Sequence, residues 1–339
     1  VSVDLLPALT TVAQRMAGGL DSFALLAIPL FILSGQLMGQ GGIARRLIDF
    51  AKAMVGMLPG GLAFVNVISC ALFGAVSGSA VAATSAIGSF MMPTMEKDGY
   101  PRPFNAALTA SASTTGLLIP PSNILIVYAV ASGGVSISAL FVAGYLPGIL
   151  VAIGLMIVSA IYARMLKFPA GDRVPFGEFA RRALAALPSL FLIILVIGGI
   201  LAGIFTATEA GAIAVLYALA LAVFIHREVR LSELPGILLQ ATRTTAIVML
   251  LIATSMAMSW ILAFENIPSM TANALLALSD NPFVILLIIN LILLIVGAFL
   301  DMTPAVLIFT PIFLPVAIDL GMSPLHFGIM MVLNLSLIH

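Results

Sequence analysis

Two apolar segments, each too short to cross a bilayer and joined by Ser77-Gly78-Ser79, constrain this chain more than any other stretch. On either side of that tripeptide lie roughly 15 to 17 apolar residues, which at about 1.5 Å per residue reach ~22 to 26 Å. A hydrocarbon core of about 30 Å needs nearer ~20 residues. The pattern predicts a helical hairpin over residues 62–95 that enters the membrane and turns back at its Ser-Gly-Ser tip. The Pro120-Pro121 pair then breaks the next apolar run, Phe104 to Ala131, because two successive residues lack the backbone N–H and clash with the preceding turn. Freed backbone at membrane depth is tolerated only where it is buried in protein or lines a cavity, and secondary transporters build midplane sites from such broken elements.

A membrane setting follows from composition. Of 339 residues, 62% are hydrophobic and 8% charged, and mean hydropathy is +1.22, which together predict an all-α polytopic membrane protein. Fourteen basic and fourteen acidic residues cancel, which excludes a nucleic-acid partner attracted by net charge. The single cysteine, Cys70, lies in an apolar segment and reads as a small buried hydrophobe. No basic region followed by a short apolar core opens the chain, so no signal peptide is visible.

Residues 3–18 and 42–57 alternate apolar with charged residues as interfacial amphipathic helices do. Spans are predicted over Phe23 to Gly39, Ala139 to Ala163, Ala183 to Phe205, Glu209 to His226 and Thr245 to Phe264, with a second pair of short segments at 283–299 and 304–319 and a last run from Leu325. All Lys and Arg except Arg15 then fall in loops on one side, which is the cytoplasmic side by the positive-inside rule. The opposite loops, including Ser132 to Ser138 and Glu265 to Asn281, carry none.

The sequence also echoes itself. Leu6-Pro7 and Arg15 recur as Leu234-Pro235 and Arg243, and Gly74-Ala75 through Pro93, Gly99 and Pro101 recurs as Gly297-Ala298 through Pro315, Gly321 and Pro324. By the loop count the first hairpin enters from the cytoplasm and the second from outside, so the copies are inverted repeats, approximately 3–163 and 228–339, within a single transmembrane transporter domain over 1–339. A partner for the Pro-Pro break should lie near position 342, just past His339.

At a hairpin tip the incoming half-helix ends in free carbonyls and the outgoing one begins with free N–H groups. Ser77 and Ser79 add hydroxyl oxygens, Gly78 permits the tight turn, and Ser122 and Asn123 beyond the Pro-Pro break supply further oxygens of the hard kind a dehydrated Na⁺ requires. The plainer alternative is that Ser77 and Ser79 only cap a helix. The second hairpin turns at Leu300-Asp301-Met302-Thr303-Pro304, with Thr303 expected as N-cap, Pro304 at the first helical position, and Asp301 either a functional carboxylate or a cap. Thr206-Ala-Thr-Glu209 reads as a capping box, His226 and His326 as interfacial, and Trp260 as packing or a membrane anchor.

Phe73-Gly-Ala-Val-Ser-Gly-Ser-Ala-Val-Ala-Ala-Thr, Gly116-Leu-Leu-Ile-Pro-Pro-Ser, Gly203-Ile-Phe-Thr-Ala-Thr-Glu-Ala-Gly-Ala and the Asp301 hairpin closely resemble the large membrane subunit of the tripartite ATP-independent periplasmic (TRAP) transporters, the C4-dicarboxylate type. The similarity covers essentially the whole chain. It implies an elevator carrier in the bacterial inner membrane, driven by Na⁺ as coupling ion and needing no other cofactor. It also implies a small membrane subunit and a periplasmic binding protein that delivers an organic acid anion. Cation sites at the two tips would then fall on Ser77, Gly78, Ser79, Ser122, Asn123, Asp301 and Thr303. The family has a membrane helix before the point where this chain starts, and follows Asn334-Leu335 with a Gly and then Thr-Pro-Pro, where this chain reads Ser-Leu-Ile-His339. A fragment truncated at both ends is therefore expected, lacking half of the second cation site.

Two other classes of protein share parts of this pattern. A stand-alone dicarboxylate or ion antiporter of related architecture shares the hairpins. An intramembrane hydrolase fits poorly, since Gly74-Ala-Val-Ser77 is no nucleophile motif and there is neither His-Glu-x-x-His nor a Gly-Lys pair for a P-loop.

Overall fold

The computed structural model describes residues 5–171, 173–279 and 281–338, and these are helical apart from connecting turns and an isolated bridge between Pro59 and Ala170. The chain opens with α1 (Leu5–Leu20), a 3₁₀ turn (Phe23–Leu26), α2 (Ala27–Gln40) and α3 (Ile43–Val55). Of the amphipathic stretch expected over 3–18, Val3 and Asp4 lie outside the described residues. Helix α3 buries Ile43, Ala44, Leu47, Ile48 and Ala51 at helical spacing and leaves Arg45, Asp49 and Lys52 outward, as its pattern requires.

The first hairpin consists of α4 (Gly61–Ser77) and α5 (Ala80–Lys97). The expected broken span follows as α6 (Arg102–Ser113), α7 (Thr115–Leu118) and α8 (Asn123–Ala131), with the main break at residues 119–122. A second, smaller break lies at Thr114, where the sequence predicts continuous helix. There Thr114 and Thr115 hydroxyls donate to the Ser111 and Ala112 carbonyls, which pulls the ladder out of α-helical register.

Then come α9 (Ile137–Met165), α10 (Phe176–Leu201) and α11 (Ala207–Leu219), the last continued by a π-helical turn (Ala220–Ile225). Thr206 and Glu209 form the predicted capping box at the start of α11. Beyond a short 3₁₀ turn lie α12 (Leu234–Phe264), α13 (Ile267–Leu276), the second hairpin of α14 (Pro282–Phe299) and α15 (Met302–Asp319), and α16 (Pro324–Ile338).

Three expectations need correction. The stretch Glu265 to Asn281 is not simply a loop. It contains α13, with Pro268 in the first turn and Ala272 and Leu275 buried. Helix α12 starts at Leu234 rather than Thr245, because Gln240, Thr244 and Arg243 are compatible with helix and Pro235 sits in the first turn, where its missing N–H costs nothing. The N-cap of α15 is Asp301, not Thr303.

Seven helices among the described residues are long and apolar enough to cross a membrane, or eight if the broken pair of α6–α7 with α8 counts as one span. Helices α14 and α15 reach that length, whereas α4 belongs with the shorter apolar helices. The protein is thus an all-α, multi-pass membrane protein.

The chain gathers into two compact units. One contains the N-terminal stretch up to Leu26, Ile124–Ala143 and the chain from Thr242 onward; the other contains Ala27–Asn123 and Gly144–Ala241. In the latter, which holds the first hairpin, α2 packs on α11 and α4, and α4 is flanked by α3, α5, α6 and α7. In the former, α16 packs on both arms of the second hairpin and α13 on α15. There Tyr128, fully buried on α8, donates its hydroxyl to the Pro324 carbonyl at 2.6 Å, across a gap that Gly328 leaves open.

Candidate functional site: the tip of the first hairpin

Helix α4 ends because Gly78 turns left-handed, with φ of +62°, and its N–H closes on the Gly74 carbonyl at 2.7 Å. Helix α5 then starts on Ser79 as N-cap, whose Oγ accepts the Ala82 N–H at 3.3 Å. The capping reading of Ser79 is therefore correct as far as it goes. Ser77 is buried at the end of α4, and its hydroxyl donates to the Ser79 carbonyl at 3.5 Å. The last carbonyls of α4 lack intrahelical partners, so the tip gathers backbone and hydroxyl oxygens at the negative end of a helix.

The Pro-Pro break is brought directly against this tip. A Cβ on Gly78 would lie 2.9 Å from the Pro121 carbonyl oxygen and 3.3 Å from the Asn123 nitrogen. Ser122 is fully buried, and its hydroxyl donates to the Leu117 carbonyl at 2.5 Å, which satisfies one carbonyl freed by the break. The Asn123 Oδ1 is enclosed and accepts no hydrogen bond, beside a turn rich in oxygen. One arm lower, Gly74 and Gly116 cross with no room for a side chain on either, which holds α4 and α7 at backbone contact. The structure therefore assembles Ser77, Gly78, Ser79, Ser122 and Asn123 into one locus.

The second tip is built differently. Leu300 closes α14, and the Asp301 carboxylate accepts the Thr303 N–H at 3.3 Å. An Asp one residue before the helix reaches the N–H of the second helical position, which leaves Thr303 inside the first turn rather than capping it. Asp301 is exposed, Thr303 half-exposed and Met302 buried.

Sequence reasoning missed the groups that fasten each hairpin to the helix after it. In the unit of the first hairpin, the Asn66 amide donates to Thr109 Oγ1 at 2.7 Å, linking α4 to α6. In the other, the Asn334 amide donates to Asn290 Oδ1 at 2.8 Å and to the Asn290 carbonyl at 3.0 Å, linking α14 to α16. A lone Asn in an apolar run was the available signal. Just past the π-helical turn that continues α11, His226 Nδ1 lies 3.2 Å from the Gly41 carbonyl, and Arg46 pairs with Glu228 at 2.8 Å. Burial and the Arg46 guanidinium hold the His226 pKa below the usual imidazole value, opposed by the Gly41 carbonyl and Glu228. Trp260 stacks on Phe264 at 5.6 Å.

Among the described residues no group of three or more His, Cys, Asp or Glu side chains is placed to hold a metal ion. The oxygens at the first tip are carbonyl, hydroxyl and amide, a donor set suited to a hard cation rather than to a soft, thiolate- or imidazole-bound metal. A cavity beside the tip is lined by Phe31, Ala75, Pro121, Leu192, Ile193, Val196 and Ala214, with no charged side chain to receive a carboxylate.

Hairpins closed by polar tips and backed by a broken helix, within a multi-pass helical bundle, define a membrane permease. The family model of the tripartite ATP-independent periplasmic transporter, DctM component, matches residues 1–339, and the chain belongs to that family. It is 53% identical over 97% of its length to YgiK of Salmonella typhimurium, covering 76% of that protein. It is 44% identical over 94% of its length to the C4-dicarboxylate TRAP transporter large permease protein DctM of Pseudomonas aeruginosa, covering 74% of that protein. Among solved structures, the Alcanivorax borkumensis YdaH transporter superposes with a TM-score of 0.56 at 17% identity, covering 99% of this chain and 78% of that one, a likeness of fold. Members of the family are transport components rather than enzymes, resident in the bacterial inner membrane, and they work with a small membrane subunit and a periplasmic binding protein.

Proposed function

We propose that this protein is the permease of a Na⁺-coupled, binding-protein-dependent importer of carboxylate-bearing organic acids, working by alternating access of the elevator kind, with its inverted hairpins as the ion-binding elements. The observation that carries the reading is the enclosed, unpartnered Oδ1 of Asn123, a side chain whose Cγ would lie 3.5 Å from a Cβ on Gly78 at the Ser77-Gly78-Ser79 turn. A buried oxygen without a donor costs about 1–3 kcal/mol, and a bound cation removes that cost. Asp301 and Thr303 at the second tip are proposed to contribute to a second cation site, where a carboxylate adds charge that the first tip lacks. Roughly 2.3 kcal/mol per 100 mV is released for each Na⁺ moved inward, so two or more ions suffice to draw in one divalent anion. The C4-dicarboxylate relative supports a carboxylate as cargo.

The test is uptake of a panel of labelled organic acids into proteoliposomes containing the permease and its small subunit. Uptake is expected to require both an inward Na⁺ gradient and a binding protein. Uptake that proceeds equally in choline refutes the ion coupling, and uptake without a binding protein refutes the tripartite arrangement.

A further inference from the structure

The first tip is gripped from two sides. On one side, Gly78 rests on the Pro121 carbonyl and the Asn123 nitrogen at distances that a methyl group would already crowd. On the other side, α2 presents Gly35 to the end of α4. A Cβ at position 35 would lie 3.1 Å from both the Ser77 Cα and the Ser77 carbonyl oxygen, and 3.2 Å from the Ser77 Cβ. These distances are shorter than ordinary van der Waals contact, so any side chain there displaces Ser77 by a few tenths of an ångström. Because Gly78 next to it already lies close against the Pro121 carbonyl and the Asn123 nitrogen, a shift of Ser77 changes its spacing to those groups.

Gly39, one turn along the same face of α2, is different. A Cβ there would meet only the tip of the Phe73 ring at 3.8 Å, an ordinary contact. The tight approach of α2 is thus local to Ser77 rather than a general property of the α2–α4 crossing.

We propose that Gly35 is a positioning residue for the cation site: its missing side chain sets the place of the Ser77 carbonyl and hydroxyl relative to Asn123, and so the cation affinity of the tip. The inference rests on the cation reading of that tip given above. Gly35 touches no ion and acts only through Ser77. Misplacing a ligand by a few tenths of an ångström degrades a preorganised site while leaving the fold standing.

The experiment compares Gly35→Ala with Gly39→Ala in the complete three-component system. It reads the Na⁺ concentration for half-maximal uptake, the KM for the organic acid at saturating Na⁺, and the Na⁺-induced rise in melting temperature of the purified permease. Gly35→Ala is expected to raise the half-saturating Na⁺ by about tenfold, to leave the organic-acid KM at saturating Na⁺ unchanged, and to reduce the Na⁺-induced melting shift. Gly39→Ala is expected to behave as wild type in all three. Equal effects of the two substitutions, or an unchanged Na⁺ requirement in Gly35→Ala, overturn the proposal while leaving the cation site intact. A wild-type protein whose uptake and melting ignore Na⁺ overturns the cation site itself. The melting shift needs no transport, so a slow but folded Gly35→Ala still decides the matter.

Discussion

The two hairpins have arms of nearly equal length, 17 and 18 residues in the first and 18 in each arm of the second, yet their tips are made by opposite means. The first tip turns on a left-handed glycine, is buried, and is wedged against the broken helix of its own unit. The second turns on extended residues, is capped by a carboxylate and is exposed. A turn made of glycine and serine can be enclosed because its polar groups are small and uncharged. A turn carrying Asp301 keeps its charge where water or a cation can reach it. The shared architecture therefore supports two chemistries of oxygen: neutral dipoles at one end of the sequence, a formal charge at the other.

The sharpest way to break this contrast is to place a side chain at the first tip. Gly78→Val forces a β-branched residue into a positive φ and into the Pro121 carbonyl, at a cost of at least ~1–2 kcal/mol from backbone conformation alone. Loss of uptake and a lowered melting temperature are expected, whereas Leu300→Val, in extended backbone at the second tip, should change the melting temperature little. Next in size, Asn123→Ala should raise the half-saturating Na⁺ by about tenfold, because it removes the unpartnered oxygen. Asp301→Asn keeps the cap but removes the charge, so an effect on Na⁺ dependence without a melting change would mark the carboxylate as a ligand. Two wild-type Na⁺ profiles from these variants would refute both tip assignments.

The fastenings of the hairpins give a smaller test. Asn66→Leu strands a buried Thr109 hydroxyl and should destabilise by about 1–3 kcal/mol in reversible unfolding. Asn334→Leu should cost less, since it also removes an amide oxygen that is buried without a donor. The smallest effect concerns pH. His226 has a lowered pKa in the folded protein, so the unfolded chain takes up more protons as pH falls through the imidazole range near 6.5. The stability it contributes is present above that range and declines below it, and His226→Asn should flatten the melting-temperature profile on the acid side.

The capping box at Thr206 and Glu209 and the break at Pro120-Pro121 were legible in the letters, because each depends on residues close in sequence. The second tip shows where such reading slips. Thr303-Pro304 looks like a cap followed by a first-turn proline, yet Asp301 reaches the Thr303 N–H and takes the cap two residues earlier. Helix α13 was hidden for a similar reason. It carries no charge, so its amphipathic face is faint, and only Ala272 and Leu275 turning inward reveal it.

Apolar length and proline placement, properties of consecutive residues, fixed that this is a multi-pass helical membrane protein with hairpins and a broken helix. They also placed Ser77, Gly78, Ser79, Ser122 and Asn123 on two turns worth joining. That the turns meet, that Asn123 is left with an unpaired oxygen there, and that Gly35 and Gly116 allow the approach were decided by the tertiary structure alone. Those facts depend on distances between helices far apart in sequence, and a glycine looks the same in the letters whether it faces lipid or the backbone of another helix.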